Sequence, residues 1–374
     1  MNHTYVRTDA AATFNRDTVV SALFYALIGF GAFGSYLRLR PTFDGYDSAI
    51  LLLFAILAGA CGRHWRSLRQ FSLAMVPPVA AGYFLMSNSA TLNAAVHSQG
   101  LILATGITIW CATLLFLAGW ISRNQKVFTV ARLATWLAVG IGLLAFLLRW
   151  RESYEMGSAI GHLPVSNLYE VFLVFVLLTS TMVLYLTDTF DAPELAAFAM
   201  PVVSAAVGFL FWYGAARGAG AITPLIPALQ SYWMKLHVPA NFIAYGAFSI
   251  SAMSSAAWLL ARYPFFARRL PERVWIEEVT YRAIAVGFVF FTAATILGAL
   301  WAAEAWGGYW SWDPKETWAL VVWLNYAAWL HIRFVKKLNG AILSCWALMG
   351  LFVTLFAFLG VNMYLSGLHS YGAL

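Results

Sequence analysis

Residues 304–318 hold Trp306, Trp310, Trp312 and Trp318, with Tyr309 between them, the glycine pair Gly307 and Gly308, and the acid Asp313. Residues of these types at this density can hold a flat aromatic ligand. Rings supply stacking, small residues let the backbone approach, and a few polar groups fix orientation. An aromatic belt at a bilayer interface would also collect tryptophans, though it has no use for the glycines. Gly307 and Gly308 are free to take positive φ. Asp313 and Pro314 start a turn, with Pro314 suited to the first helical position and Glu316 to the first turn.

Seven histidines add candidate metal ligands. His237, His369 and His331 stand out. His3, His64 and His97 fall in polar tails or links and read as solvated. His162 lies in 161–170, where Pro164, Ser166 and Asn167 start a helix with Glu170 in its first turn, so a structural role is the better reading.

The elements that must position these groups are membrane helices. The tryptophan-rich stretch sits between uncharged apolar runs, 283–303 and 319–330. Of the 374 residues, 61% are hydrophobic and 10% charged, against roughly 25% charged in a soluble domain. The expected fold is an all-α polytopic integral membrane protein. Eleven spans are read at 18–37, 46–62, 71–88, 100–121, 128–149, 167–187, 195–213, 240–261, 281–303, 316–335 and 341–364, with eight as the lower bound. The second and third are short, and Pro77 and Pro78 sit inside the third. Residues 214–239 form the longest link, read as an amphipathic piece on the surface leading into the eighth span. Helix packing is expected to use small residues such as those of 249–257.

Basic loops set the orientation. Arg63, Arg66 and Arg69, then Arg123 and Lys126, then Arg262, Arg268, Arg269 and Arg273, then Arg333, Lys336 and Lys337 all fall on one side if the N-terminus is cytoplasmic and eleven spans follow. The tryptophan cluster, His237, His369 and the C-terminus are then external. Arg38 with Arg40, and Arg149 with Arg151, fit poorly. The net charge of +7 is read as loop charge and not as a nucleic-acid footprint. Cys61, Cys111 and Cys345 lie far apart in apolar runs with no C-x-x-C spacing, and read as small buried hydrophobes. No cleavable leader is recognised.

On this topology His237 and His369 end two spans on the face that carries the tryptophans. Imidazole is the commonest axial ligand of heme iron, and heme is a flat ring suited to such a shelf. An interfacial histidine can equally serve water. His331, thirteen residues after Trp318, would lie roughly 20 Å deeper along its helix. An ionisable residue there is a functional candidate, with snorkelling beside Arg333 as the alternative.

Trp306-Gly307-Gly308-x-Trp310-x-Trp312-Asp313-Pro314-Lys315-Glu316-x-Trp318 resembles the "WWD" signature of heme-handling membrane proteins. Its Asp-Pro-Lys-Glu-Thr-Trp ending resembles the CcsA (ResC) branch of system II cytochrome c biogenesis more than CcmC or CcmF. The likeness covers 163–170, 227–246, 302–333 and 360–372. It implies a variable N-terminal membrane region of about four spans, 1–122, and a heme-handling core, 123–374, with the external loop 304–318. It implies heme b as the bound group, His237 and His369 as its axial ligands, and His331 as part of an inner heme site completed by a CcsB (ResB) partner. Trp306, Gly307, Gly308, Trp310, Trp312, Asp313 and Trp318 would form the rest of the binding surface.

The implied activity is that of a component of a membrane cytochrome c synthetase of lyase type. It would join heme to the Cys-x-x-Cys-His segment of apocytochrome c, with thioredoxin-like thiol reductants acting indirectly. No general base is named; Asp313 and Glu316 are candidates for turn formation, positioning, or propionate-side contacts through Lys315. The expected location is the bacterial cytoplasmic membrane or the thylakoid membrane. Two rivals stay open: a heme transporter without ligation chemistry, and a b-type cytochrome subunit of a respiratory complex. The second places paired histidines inside the bilayer, where this sequence offers one alone.

Overall fold

The computed structural model describes residues 6–39, 45–88, 96–157, 160–336, 338, 340–365 and 367–368. Among them the regular elements are helical: α1 Val6–Leu39, α2 Gly45–His64, α3 Arg66–Asn88, α4 Ser98–Ser122, α5 Gln125–Glu155, α6 Leu168–Phe190, α7 Ala196–Arg217, α8 Tyr232–Leu260, α9 Arg273–Trp306, α10 Pro314–Lys336 and α11 Ala341–Tyr364. Each stretch read as a span matches one of these helices, with 167–187, 195–213 and 240–261 overrunning theirs by one residue. Eight segments are long and apolar enough to cross a membrane: Asp17–Leu37 of α1, α4 to α6, Pro193–Arg217 with α7, α8, α9 and α11. The apolar part of α2, Ser48–His64, is shorter. The protein is a polytopic helical membrane protein.

The chain divides into two compact units, Met1–Leu85 and Met86–Leu374. In the first, α1 packs on α2. Phe24 is buried where Gly62 leaves room, since a Cβ there would lie 2.1 Å from the ring. Arg69 donates to the Gly62 and Arg63 carbonyls at the end of α2, a cation on exposed C-terminal carbonyls. α3 runs through Pro77 and Pro78 without a break.

In the second unit α4 and α5 form a hairpin closed by Arg123 in the left-handed region and by the Asn124 cap. α4 also packs on α7. The centre is α8, which touches α6, α7, α9 and α11. Ala247, Ser249, Ser251, Ala252, Ser254, Ser255 and Ala257 are all buried. Small side chains let four neighbours approach one helix closely, as expected for 249–257. Thr179 lies against Gly246, and Phe248, against Gly287, stacks on Tyr326 at 3.6 Å between centroids.

α8 starts earlier than the sequence reading placed it. The span was read from residue 240, whereas Pro239 lies inside the helix and Ser231 caps its N-terminus by accepting from the Trp233 N–H. Ser231 also donates to Glu304 near the end of α9. His237 therefore stands within a helix and not in a link. The three cysteines are free and exposed on the helical surfaces, not buried as expected.

A walled cavity below the tryptophan loop

The loop is shorter than expected, because α9 continues through Glu304 to Trp306. Gly307 then turns the chain with φ of 79°, and its N–H donates to the Ala303 carbonyl, an αL helix end. At the other side Asp313 caps α10. Its Oδ1 accepts from the Lys315 N–H at 2.8 Å, while Glu316 Oε2 reaches back to the Asp313 N–H at 3.2 Å. This is a reciprocal capping box with Pro314 at the first position. Glu316 Oε2 also accepts the Ser311 N–H at 2.7 Å, and both acids are buried. The acids thus fix the loop between α9 and α10.

Beneath it lies a cavity of about 230 Å³, lined by residues of 165–171, Tyr213, Leu229, α8, α9, the loop, the start of α10 and α11. Phe242, Tyr245, Phe291 and Phe358 give it an apolar aromatic surface. The charged or ionisable lining groups among the described residues, tyrosines aside, are His237, Lys315 and Glu316.

His237 projects from the second turn of α8. Its Nδ1 is 2.7 Å from the Ala294 carbonyl oxygen of α9, which can only accept, so Nδ1 carries the proton. Nε2 then holds the lone pair and accepts from Asn241 Nδ2 at 3.0 Å. A backbone carbonyl holding one imidazole nitrogen orients the other toward its partner, here the Asn241 amide, whose place a metal would have to take. Gly298 makes the seat possible, since a Cβ there would lie 2.8 Å from His237 Cε1. Trp301 stands beside the ring at 5.7 Å and is held by the Ala228 carbonyl.

Opposite chemistry comes from α10 and α11. Lys315 Nζ donates to the Phe358 carbonyl at 2.8 Å and to Asn362 Oδ1 at 3.0 Å. α11 takes a π turn over Phe356–Gly360, and such turns are common at functional sites. Lys315 precedes the apolar part of α10, and burial lowers its ammonium to about 7 against the opposing pull of Asp313.

The tryptophans do not make one flat shelf. Trp310 and Tyr309 line the cavity. Trp306 packs on Trp301, Trp318 packs on Phe356, and Trp312 meets Trp310 edge-on while remaining 68% exposed. Trp312 also takes φ of 59°. Gly307 and Gly308 have open space where a Cβ would be. His331 is exposed on α10, away from the cavity lining. His369 lies outside the described residues. Its neighbour Leu368 is placed, and donates its N–H to Asp313 Oδ2 at 2.6 Å. His162 is buried and bonded to Ser166 and the Ile160 carbonyl, as its structural reading required.

The family model described as cytochrome C assembly protein matches residues 165–369. That span begins at the first residue of the cavity wall and contains all the others. Over 303 residues the chain is 33% identical to the cytochrome c biogenesis protein CcsA of Parasynechococcus marenigrum (strain WH8102), covering 72% of this chain and 96% of the relative. The chain belongs to the CcsA family. A CcsA of Chlamydomonas reinhardtii is 35% identical over 261 residues, covering 67% of this chain and 70% of that one. Among solved structures, the cytochrome c heme lyase CcmF superposes with a TM-score of 0.53 at 21% identity, covering 71% of this chain and 49% of that one. The likeness is one of fold, over about half of the larger chain.

In this CcsA-family chain, Asn241 and Gly298 escaped sequence reading as site groups, and Lys315, read beside Asp313 and Glu316 as a propionate-side contact, gains its grip on α11 only in the fold. Asn241 stands four residues after His237, a helical neighbour that the spacing could have shown. Gly298, inside an apolar run, carried no signal. A further buried cluster explains Arg149, which fitted the loop-charge rule poorly. Arg149 Nε donates to Glu170 Oε1 at 2.7 Å, and both side chains are 1% exposed. Its Nη1 donates to the Gly220 carbonyl, while Glu170 Oε2 accepts from the Ser166 N–H and hydroxyl. Arg149 is an internal charge and not a loop charge. It fixes 166–168, which form part of the cavity wall.

Proposed function

We propose that the chain binds heme b in this cavity, presents it on the external face and, with a CcsB-type partner, attaches it to apocytochrome c. The observation that carries this reading is His237. Its imidazole lines an aromatic cavity with Nδ1 locked, inside the region that matches the cytochrome c assembly family, and iron would take the Nε2 lone pair in place of the Asn241 amide. Heme is written here as substrate. His237 takes one axial position of its iron, and His369, the residue after the anchored Leu368, takes the other. Trp310 and Tyr309 bound one side of the ring. Trp306, Gly307, Gly308, Trp312, Asp313 and Trp318 shape or brace the loop.

The chemistry is addition of two thiols across two vinyl groups. In each addition a sulfur–carbon bond forms, the vinyl double bond becomes single, and the thiol proton ends on the outer vinyl carbon. No electrons leave or enter. The apocytochrome's own histidine then replaces one imidazole. The protein contributes orientation of vinyl and thiol, worth about 7–11 kcal/mol of barrier when reacting groups are well aligned. Thioredoxin-like reductants keep the thiols reduced.

His331 belongs to a second, inner site in this reading. Its exposure on α10 suits completion by a histidine from the partner. Eleven spans, a cytoplasmic N-terminus and an external loop complete the topology. The test is the absorption spectrum of the chain purified with its partner, reduced, for wild type and for His237→Ala and His369→Ala. Sharp six-coordinate bands that broaden in either variant, with loss of holocytochrome c, support the reading. Unchanged spectra and unchanged maturation in both variants overturn it.

A further inference from the structure

Among the described residues, Lys315 is the one lysine or arginine lining the cavity. Its two hydrogen-bond acceptors, the Phe358 carbonyl and Asn362 Oδ1, are neutral. An ammonium has three donors, so one is left for another acceptor. The nearby acids are committed elsewhere. Asp313 Oδ1 accepts from the Lys315 backbone N–H and Oδ2 from the Leu368 N–H. Glu316 Oε2 is turned into the loop onto Ser311 and Asp313. Asp313 offsets part of the cost of burying this cation, and an anion on its remaining donor would offset more.

The aromatic surface leads from the helix of His237 to this ammonium. Phe358 touches Phe242 at 5.4 Å and Tyr245 at 5.2 Å between centroids, and Lys315 Nζ lies 5.4 Å from the Phe358 ring. A rigid macrocycle covering that surface brings its edge substituents toward Lys315. We infer that Lys315 is the seat of a carboxylate of the bound macrocycle, with Asn362 and the Phe358 carbonyl holding the ammonium in place. This deepens the heme reading and rests on it. The carboxylate is the tetrapyrrole's own propionate and not an acidic side chain of the polypeptide substrate.

The test compares hemin with hemin dimethyl ester, whose propionates are blocked. Both are titrated into the chain purified with its membrane partner, and the Soret band is followed. Wild type should bind the free acid about tenfold more tightly than the ester, the scale of a charge-assisted hydrogen bond. Lys315→Met should bind both at the ester's affinity, and Lys315→Arg should keep most of the preference. Unchanged ester binding in Lys315→Met shows that the cavity is intact. An equal affinity of wild type for acid and ester overturns the carboxylate seat and leaves heme binding standing. So does a Lys315→Met variant that keeps the preference and instead loses affinity for an apocytochrome peptide, which would assign the lysine to the polypeptide. If wild type binds neither compound, it is the heme reading that fails.

Discussion

His237 donates its Nδ1–H to the Ala294 carbonyl across 2.7 Å, and this bond joins α8 to α9 and leaves the Nε2 lone pair to the Asn241 amide. The seat depends on Gly298, one turn further along α9. Gly298→Ala should therefore displace the imidazole without removing it. We expect heme occupancy to fall about tenfold or more, with a broadened spectrum, while the complex still assembles. A variant with wild-type bands would show that the ring has room to shift.

The tryptophans should separate by position. Trp310 lines the cavity and Trp312 is largely exposed. Trp310→Ala should lower heme retention during purification several-fold. Trp312→Ala should retain heme and, if it has an effect, show it in holocytochrome yield. Equal heme loss in the two variants would mean that the loop acts as one folded unit.

Asp313 caps α10 with one oxygen and holds the Leu368 N–H with the other. Gly367 is packed so closely that a Cβ would lie 2.2 Å from Asp313 Oδ2. Asp313→Asn keeps much of the cap and weakens the tether. It should lower six-coordinate heme content in the direction of His369→Ala, with little change in melting temperature. A cap loss alone would cost about 1 kcal/mol of stability and leave the spectrum unchanged.

Arg149 and Glu170 are buried together. Removing one partner strands a charge, so Glu170→Gln or Arg149→Met should destabilise by about 3–5 kcal/mol, read as a lower unfolding temperature in detergent. The double variant Arg149→Met with Glu170→Leu should recover part of that loss. Additive losses would show that the two groups act through separate partners.

Lys315 predicts a pH dependence. Unfolded, a lysine keeps its proton to about 10.4; folded and without ligand, burial lowers Lys315 to about 7, with Asp313 opposing and Glu316 nearby. Between these values the unfolded state binds more protons, so this residue's contribution to stability rises with pH. Below pH 7 both states hold the proton and the slope vanishes. Relative to Lys315→Met, ligand-free wild type should gain stability from about pH 7 upward, measured by thermal unfolding in detergent. A flat difference across that range would place the ammonium in a more solvated setting.

Much was legible in the chain itself. Apolar runs with few charges require helices in a membrane, because backbone groups in hydrocarbon must bond within their own segment. Asp313, Pro314 and Glu316 announced a helix start by local rules, and Gly307 takes the positive φ that was open to it. His237 stood out by its chemistry alone. What remained for the tertiary structure were relations between residues far apart in sequence. Residues 214–239 read as a link because apolar run length is local, whereas the Ser231 cap and the packing of α8 extend the helix back to Tyr232. Arg149 read as a loop charge until Glu170 was beside it. The tryptophans read as one shelf, yet the loop turns Trp310 to the cavity and Trp312 outward. Lys315 was legible as a propionate-side contact, but its hold on the Phe358 carbonyl and Asn362 came only with the packing of α11. Spacing along a chain reports which residues share a helix face. Which faces meet, and so which donors find acceptors, is decided when the helices pack.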